Sequence, residues 1–161
     1  MKKRVLFFLL FYILLSSCDK NNYDDNISRN INRKKLLELV NNYRKNGCNC
    51  GAQYMPPVQP VVWNDLLESA AQKHSNDMNK NNFFSHISSN GKNPGDRISE
   101  AGYNWATFGE NIARGRKTEN DVINIWMNST DHCKNIMNPD FMEMGVAASG
   151  NYWTQIFGKK R

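Results

Sequence analysis

The placement of four cysteines constrains this chain of 161 residues more than any other feature. Cys18 directly follows an apolar run, Cys48 and Cys50 are separated by one asparagine, and Cys133 stands alone far along the chain. Whether thiols pair depends on the compartment, so the segment before Cys18 decides how the other three are read. Residues 1–4 are cationic, residues 5–15 form an uninterrupted apolar run, and Ser16-Ser17-Cys18 follows at once. That is the order of a secretory signal, and the run is too short to span a bilayer stably. Residues 1–17 are therefore expected to be a signal peptide.

Leu15-Ser16-Ser17-Cys18 also resembles a bacterial lipobox, in which the cysteine is lipidated and becomes the first mature residue. An unpaired thiol at an extracytoplasmic terminus would be a liability, which favours lipidation of Cys18 over plain cleavage. Residues 19–32 are rich in Asn, Asp and Lys with almost no apolar side chains, so residues 18–32 read as a lipidated cysteine with a solvated tether. Residues 33–161 form the remaining folded domain. The expected location is extracytoplasmic and membrane-anchored, in a bacterial envelope or on its surface.

In an oxidising compartment three cysteines give one disulfide and one spare thiol. Cys48 and Cys50 would close a strained ring together, so Cys133 pairs with one of them, and the sequence does not choose which. The alternative, a metal held by the Cys-x-Cys pair with Cys133, lacks the two-residue spacer of common zinc knuckles.

Length and composition, with 40% hydrophobic residues and aromatics spread throughout, fit one domain with a real core, although about one residue in seven is Asn. Losing Lys2, Lys3 and Arg4 with the leader lowers the formal charge from +6 to +3. No basic stripe interleaves with aromatics, so nucleic acid is not an expected partner, and the domain is expected to be a monomer.

Ile31, Lys35, Leu36, Leu39, Val40 and Tyr43 recur at helical spacing, predicting a helix over 31–45 that stops near Gly47. Pro56, Pro57 and Pro60 forbid helix until Val61. Asn64 or Asp65 can cap a second helix to about Asn81, with Leu67, Ala70, Ala71, His74 and Met78 on one face. A short helix starts at Pro94 and ends at Gly102. Thr118 and Asp121 resemble a capping box for a helix bearing Val122, Ile125 and Trp126, and one or two further turns carry His132, Cys133 and Ile136. Residues 145–149 and 152–157 read as strands of a hairpin around Gly150-Asn151, with residues 109–113 able to pair with them. The sum is an α+β domain.

Several segments are then read together: Trp63-Asn64-Asp65-Leu66-Leu67, His74-Ser75-Asn76-Asp77-Met78, Phe84-Ser85-His86, Gly102-Tyr103, Gly109-Glu110-Asn111-Ile112-Ala113, Trp126-Met127-Asn128-Ser129, His132 with Asn135-Ile136-Met137, Gly145-Val146-Ala147, and Tyr152-Trp153-Thr154-Gln155. In order and spacing they resemble the CAP superfamily (cysteine-rich secretory, antigen 5 and pathogenesis-related proteins), in its bacterial SCP-domain branch, from about Leu36 to Gly158. The resemblance implies a three-layer α-β-α sandwich around a central, mainly antiparallel sheet, with a cleft lined by two histidines and two acids. His86, Glu110 and His132 match three of these. The second acid is missing: Ser129 stands near where animal and plant members carry Glu, and Asp131 points away from the face of His132.

Two imidazoles and a carboxylate suit a divalent metal such as zinc with one position left open. The plain alternative is a hydrogen-bonded His–Glu cluster without metal. A hydrolase would use Ser129 and His132, at i and i+3, with Glu110 orienting the imidazole, but no nucleophile elbow is present. His74 reads as a core histidine, and Arg97, Tyr103 and Asn111 as loop anchors. The expectation is a non-enzymatic ligand-binding or interaction module. The resemblance adds a sterol or other lipid, or a cell-surface partner, as its ligand class. The alternative is a metal- or Ser-dependent hydrolase of envelope or secreted substrates.

Overall fold

The computed structural model describes residues 30–161, so the expected leader, the expected lipidation at Cys18 and most of the expected tether lie outside the described residues. Helix α1 (Arg33–Asn46) begins where Asn32 accepts a hydrogen bond from the Lys35 N–H and ends at Gly47, whose φ of 71° suits glycine. Its inward face is Leu36, Val40 and Arg44, one helical turn apart, whereas Tyr43 is only half-buried. Strands β1 (Cys48–Cys50) and β2 (Gln53–Met55) form a small antiparallel hairpin that the proline-dominated reading of this stretch did not anticipate.

After the two-residue β3 (Val62–Trp63), Asn64 caps α2 (Asp65–Asn81), accepting from the Leu66 and Leu67 N–H groups. Asn82 closes that helix in the left-handed region. Helix α3 (Pro94–Glu100) carries a reciprocal capping box between Asn93 and Asp96, and it ends at Ala101, one residue before the expected Gly102. Strand β4 (Trp105–Arg114), helices α4 (Glu119–Met127) and α5 (Thr130–Ile136), and the hairpin β5 (Glu143–Ser149) and β6 (Tyr152–Lys160) complete the chain. Thr118 caps α4 through the Asp121 N–H.

The main sheet has the order β3-β5-β6-β4. Its pairs are antiparallel except β3 with β5, which run parallel over two residues. Both faces are covered, which explains why β5 and β6 are buried almost throughout instead of alternating. Met144, Val146, Ala148, Trp153 and Phe157 face one way and share a core with α1, α4 and α5. Ala147 and Ile156 face the other way, onto Leu67, Ala70 and Ala71 of α2 and Ile98 of α3. The sandwich is thus α-β-α. Helix α2 sits so close to β5 that a Cβ on Gly145 would run into the backbone nitrogen of Glu68.

Of the two pairings left open, the structure shows Cys50 bonded to Cys133, which ties β1 to α5, and Cys48 is a free thiol. The buried Arg44 guanidinium fills a second joint. It donates to the carbonyls of Gln59, Ile136, Asn138 and Phe141 and so pins the segment after α5 to α1. With no acid among these partners, burial pushes its pKa down to about 10.

Candidate functional site

Strand β4 is an edge strand of the main sheet, so one side of it is free to line a cleft. Alternate residues point to opposite faces: Glu110 and Ile112 lie with α2 and α3, while Asn111 and Ala113 lie with α5. Gly109 precedes them because a Cβ there would meet the Phe141 ring at 2.8 Å. Asn111 donates to Gln155 Oε1 and to the His132 carbonyl, and Asn135 Nδ2 donates to Asn111 Oδ1 and to the Glu110 carbonyl. This ladder of amides fixes α5 against β4 and so sets His132 beside the edge on which Glu110 sits. Asn111 therefore anchors a helix rather than a loop.

On the opposite bank, the segment after α2 is held by two buried side chains. His74 Nε2 meets the Ser85 carbonyl at 2.8 Å, and its other nitrogen meets Ser88 Oγ at 3.3 Å. Arg97 reaches from α3 to the His86 and Lys92 carbonyls and to Ser88 Oγ. Its second amino group closes on Glu110 Oε2 at 2.6 Å. Both side chains of that ion pair are at most 5% exposed. The other carboxylate oxygen, Oε1, lies 2.7 Å from His86 Nδ1.

These contacts settle what Glu110 can do. A neutral His86 ring that donates from Nδ1 to this oxygen keeps its lone pair on Nε2. Glu110 thus turns one oxygen to Arg97 and the other to His86. A carboxylate so placed fixes the tautomer and direction of the imidazole it meets.

His132 lies close enough to His86 for their charges to interact. Burial holds its pKa below the usual value, the His86 charge lowers it further, and Asp131 opposes the shift. Its Nδ1 is buried and has no hydrogen-bond partner among the described residues. A neutral imidazole without an internal anchor, opposite a second imidazole with a free Nε2, fits two nitrogen ligands of a divalent ion. Among the described residues, only the three cysteines bring three ligand atoms of His, Cys, Asp or Glu within 4.8 Å of one another, and two of those sulfurs are bonded to each other.

Ser129 is the N-cap residue of α5, outside the helix proper, and its side chain makes no capping bond. No hydrogen bond joins Ser129 to His132 among the described residues, and Glu110 is turned toward His86. Among the described residues, no hydrogen bonds link Ser129, His132 and Glu110 into one chain.

Beside His132 runs an apolar groove of about 610 Å³, lined by Phe84, Ile112, Ala113, Arg114, Ile125, Ser129 and His132. That size falls in the range of small-molecule sites. Phe84 is 48% exposed at its rim. Sequence reasoning named His132 and Ser129 but did not find the groove, because its walls come from the 84–86 segment, β4, α4 and α5. It also placed Arg97 as a loop anchor only, and no local signal points from α3 to Glu110.

The model of the cysteine-rich secretory protein family matches residues 37–157. An uncharacterized protein of Bacillus subtilis strain 168, YkwD, is 39% identical over 127 residues, covering 77% of this chain and 46% of its own length. A crystal structure of an extracellular protein containing a SCP domain from Bacillus anthracis superposes with a TM-score of 0.69 at 28% identity, covering 85% of this chain and 41% of the other. NaASP2 with zinc shares the fold, with a TM-score of 0.58 at 16% identity over 85% of this chain and 84% of that one. The chain thus spans less than half the length of the Bacillus proteins it matches.

Proposed function

Because the chain belongs to the cysteine-rich secretory protein family, we propose that it is an extracytoplasmic ligand-binding module held at a membrane through lipidated Cys18. Its groove takes an apolar ligand, and the adjoining cleft offers His86 and His132 to a divalent metal ion with Glu110 orienting His86. The observation that carries this reading is the groove itself: a largely apolar channel with His132 and Ser129 in its wall. A metal there would anchor a polar end of the ligand, while Phe84, Ile112 and Ile125 exclude water from its apolar part. The extracellular Bacillus anthracis relative supports the location, and the zinc in NaASP2 supports the choice of ion. No helix among the described residues is long and apolar enough to cross a membrane.

The test is equilibrium titration of the full chain with a fluorescent apolar probe, then displacement by sterol and fatty-acid competitors. Phe84 is exposed at the rim of the groove and belongs to no core cluster, so Phe84→Glu can place a charge in the groove while sparing the core. Saturable binding to one site, weakened at least tenfold by Phe84→Glu at an unchanged melting temperature, is expected. Equal probe binding by both proteins, or none by either, would overturn the reading.

A further inference from the structure

Away from the cleft, the sulfurs of Cys48, Cys50 and Cys133 lie within 4.8 Å of one another. Cys48 and Cys50 are alternate residues of β1 and so point to one side of the strand, where Cys133 of α5 meets both. Cys50 and Cys133, the bonded pair, are fully buried. Cys48 Sγ lies 3.9 Å from Cys133 Sγ, and Cys48 is the half-buried member at the rim. Thiol–disulfide exchange needs a thiolate able to reach a disulfide sulfur, and access governs its rate. An external reagent meets neither bonded sulfur, whereas Cys48 touches both solvent and Cys133.

We propose that Cys48 is an entry thiol, the site at which an external dithiol or disulfide exchanges with the buried Cys50–Cys133 pair. In the reducing direction, the Cys48 thiolate attacks Cys133 Sγ. The Cys48–Cys133 bond forms, the Cys50–Cys133 bond breaks, and Cys50 leaves as a thiolate that takes up a proton. The external dithiol then attacks Cys48 Sγ and expels the Cys133 thiolate. Its second thiol attacks its own bonded sulfur and releases Cys48. The dithiol ends as a disulfide, Cys50 and Cys133 end reduced, and Cys48 is regenerated. Oxidation by an external disulfide follows the same steps in reverse.

The two internal pairings span 83 and 85 residues, so chain entropy does not distinguish them. Burial does: the fully buried Cys50 sulfur is better placed in a bond than as a thiolate. Burial also raises the pKa of Cys48, so at neutral pH only a small fraction of it is nucleophilic.

The experiment uses the full chain carrying Cys18→Ser, so that three thiols are followed. Oxidised protein is reduced by dithiothreitol under native conditions, quenched in acid, alkylated and mapped by mass spectrometry. Adding Cys48→Ser is expected to slow reduction at least tenfold at an unchanged melting temperature, and Cys50→Ser is expected to form the Cys48–Cys133 disulfide. Equal reduction rates with and without Cys48, or a Cys50→Ser protein that stays reduced in an oxidising buffer, would overturn the proposal. If Cys48→Ser lowers the melting temperature, the three-thiol parent decides. Mapping its oxidised form after acid quench, unfolding and alkylation supports the relay if a minor fraction carries the Cys48–Cys133 bond with Cys50 alkylated, and overturns it if Cys50 is never alkylated.

Discussion

Replacing Arg97 by Met is the sharpest perturbation of the cleft. The substitution keeps much of the side-chain volume but removes the guanidinium that pairs with Glu110 Oε2 and ties down the His86 and Lys92 carbonyls and Ser88 Oγ. Glu110 then remains as a carboxylate with 3% of its side chain exposed and only His86 beside it. Breaking one partner from a buried pair costs about 3–5 kcal/mol, mostly the charge left uncompensated. For a domain of this size that is a fall in melting temperature of roughly 10–20 °C. The assay is urea unfolding of Arg97→Met, Glu110→Gln and the double variant. If the uncompensated charge dominates, the double variant is more stable than Arg97→Met alone, because the amide needs no cation. A loss below about 1 kcal/mol in Arg97→Met, or strictly additive losses in the double variant, would refute the argument that this pair is buried and coupled.

Other consequences follow from the packing and the titrating groups. Gly145→Ala should destabilise the domain by about 1–3 kcal/mol or more, since its methyl meets the α2 backbone, and equilibrium unfolding measures this. Arg44→Met should cost roughly 2–6 kcal/mol, because the buried Ile136 and Phe141 carbonyls lose their donor at about 1–3 kcal/mol each. His74 and His132 are both held below the usual histidine pKa, chiefly by burial. The unfolded chain therefore takes up protons near pH about 6.5 that the folded chain refuses, and stability falls as pH drops through that value. Unfolding free energy should decline between pH 7.5 and 5.5, and His132→Gln should flatten the decline.

Much of the framework is legible in the sequence because it is local. Asn64 and Thr118 mark helix starts through their own side-chain caps, and Gly150-Asn151 marks the β5–β6 turn. Arg44 falls one helical turn beyond Val40 on the face that carries Leu36, and this spacing was a usable signal of burial that its charge obscured. The parallel β3–β5 contact leaves no pattern, since a strand of two residues has no periodicity to read. The cleft is legible in its members but not in their duties. Its histidines and Glu110 sit in recognisable segments, yet the assignment of both Glu110 oxygens depends on Arg97 arriving from α3, an encounter made only by the packed fold. The choice of Cys50 over Cys48 is likewise settled by how β1 lies against α5.

Zinc titration of the full chain by calorimetry at pH 7.5, repeated with His86→Ala/His132→Ala and with Glu110→Gln, tests the two-imidazole cleft most directly. One ion per chain is expected, lost in the double histidine variant, roughly 10–100-fold weaker in Glu110→Gln, and weaker as pH falls and the imidazoles take up protons. A folded chain that binds no zinc at micromolar concentration, or one that binds it equally well without both histidines, would contradict it.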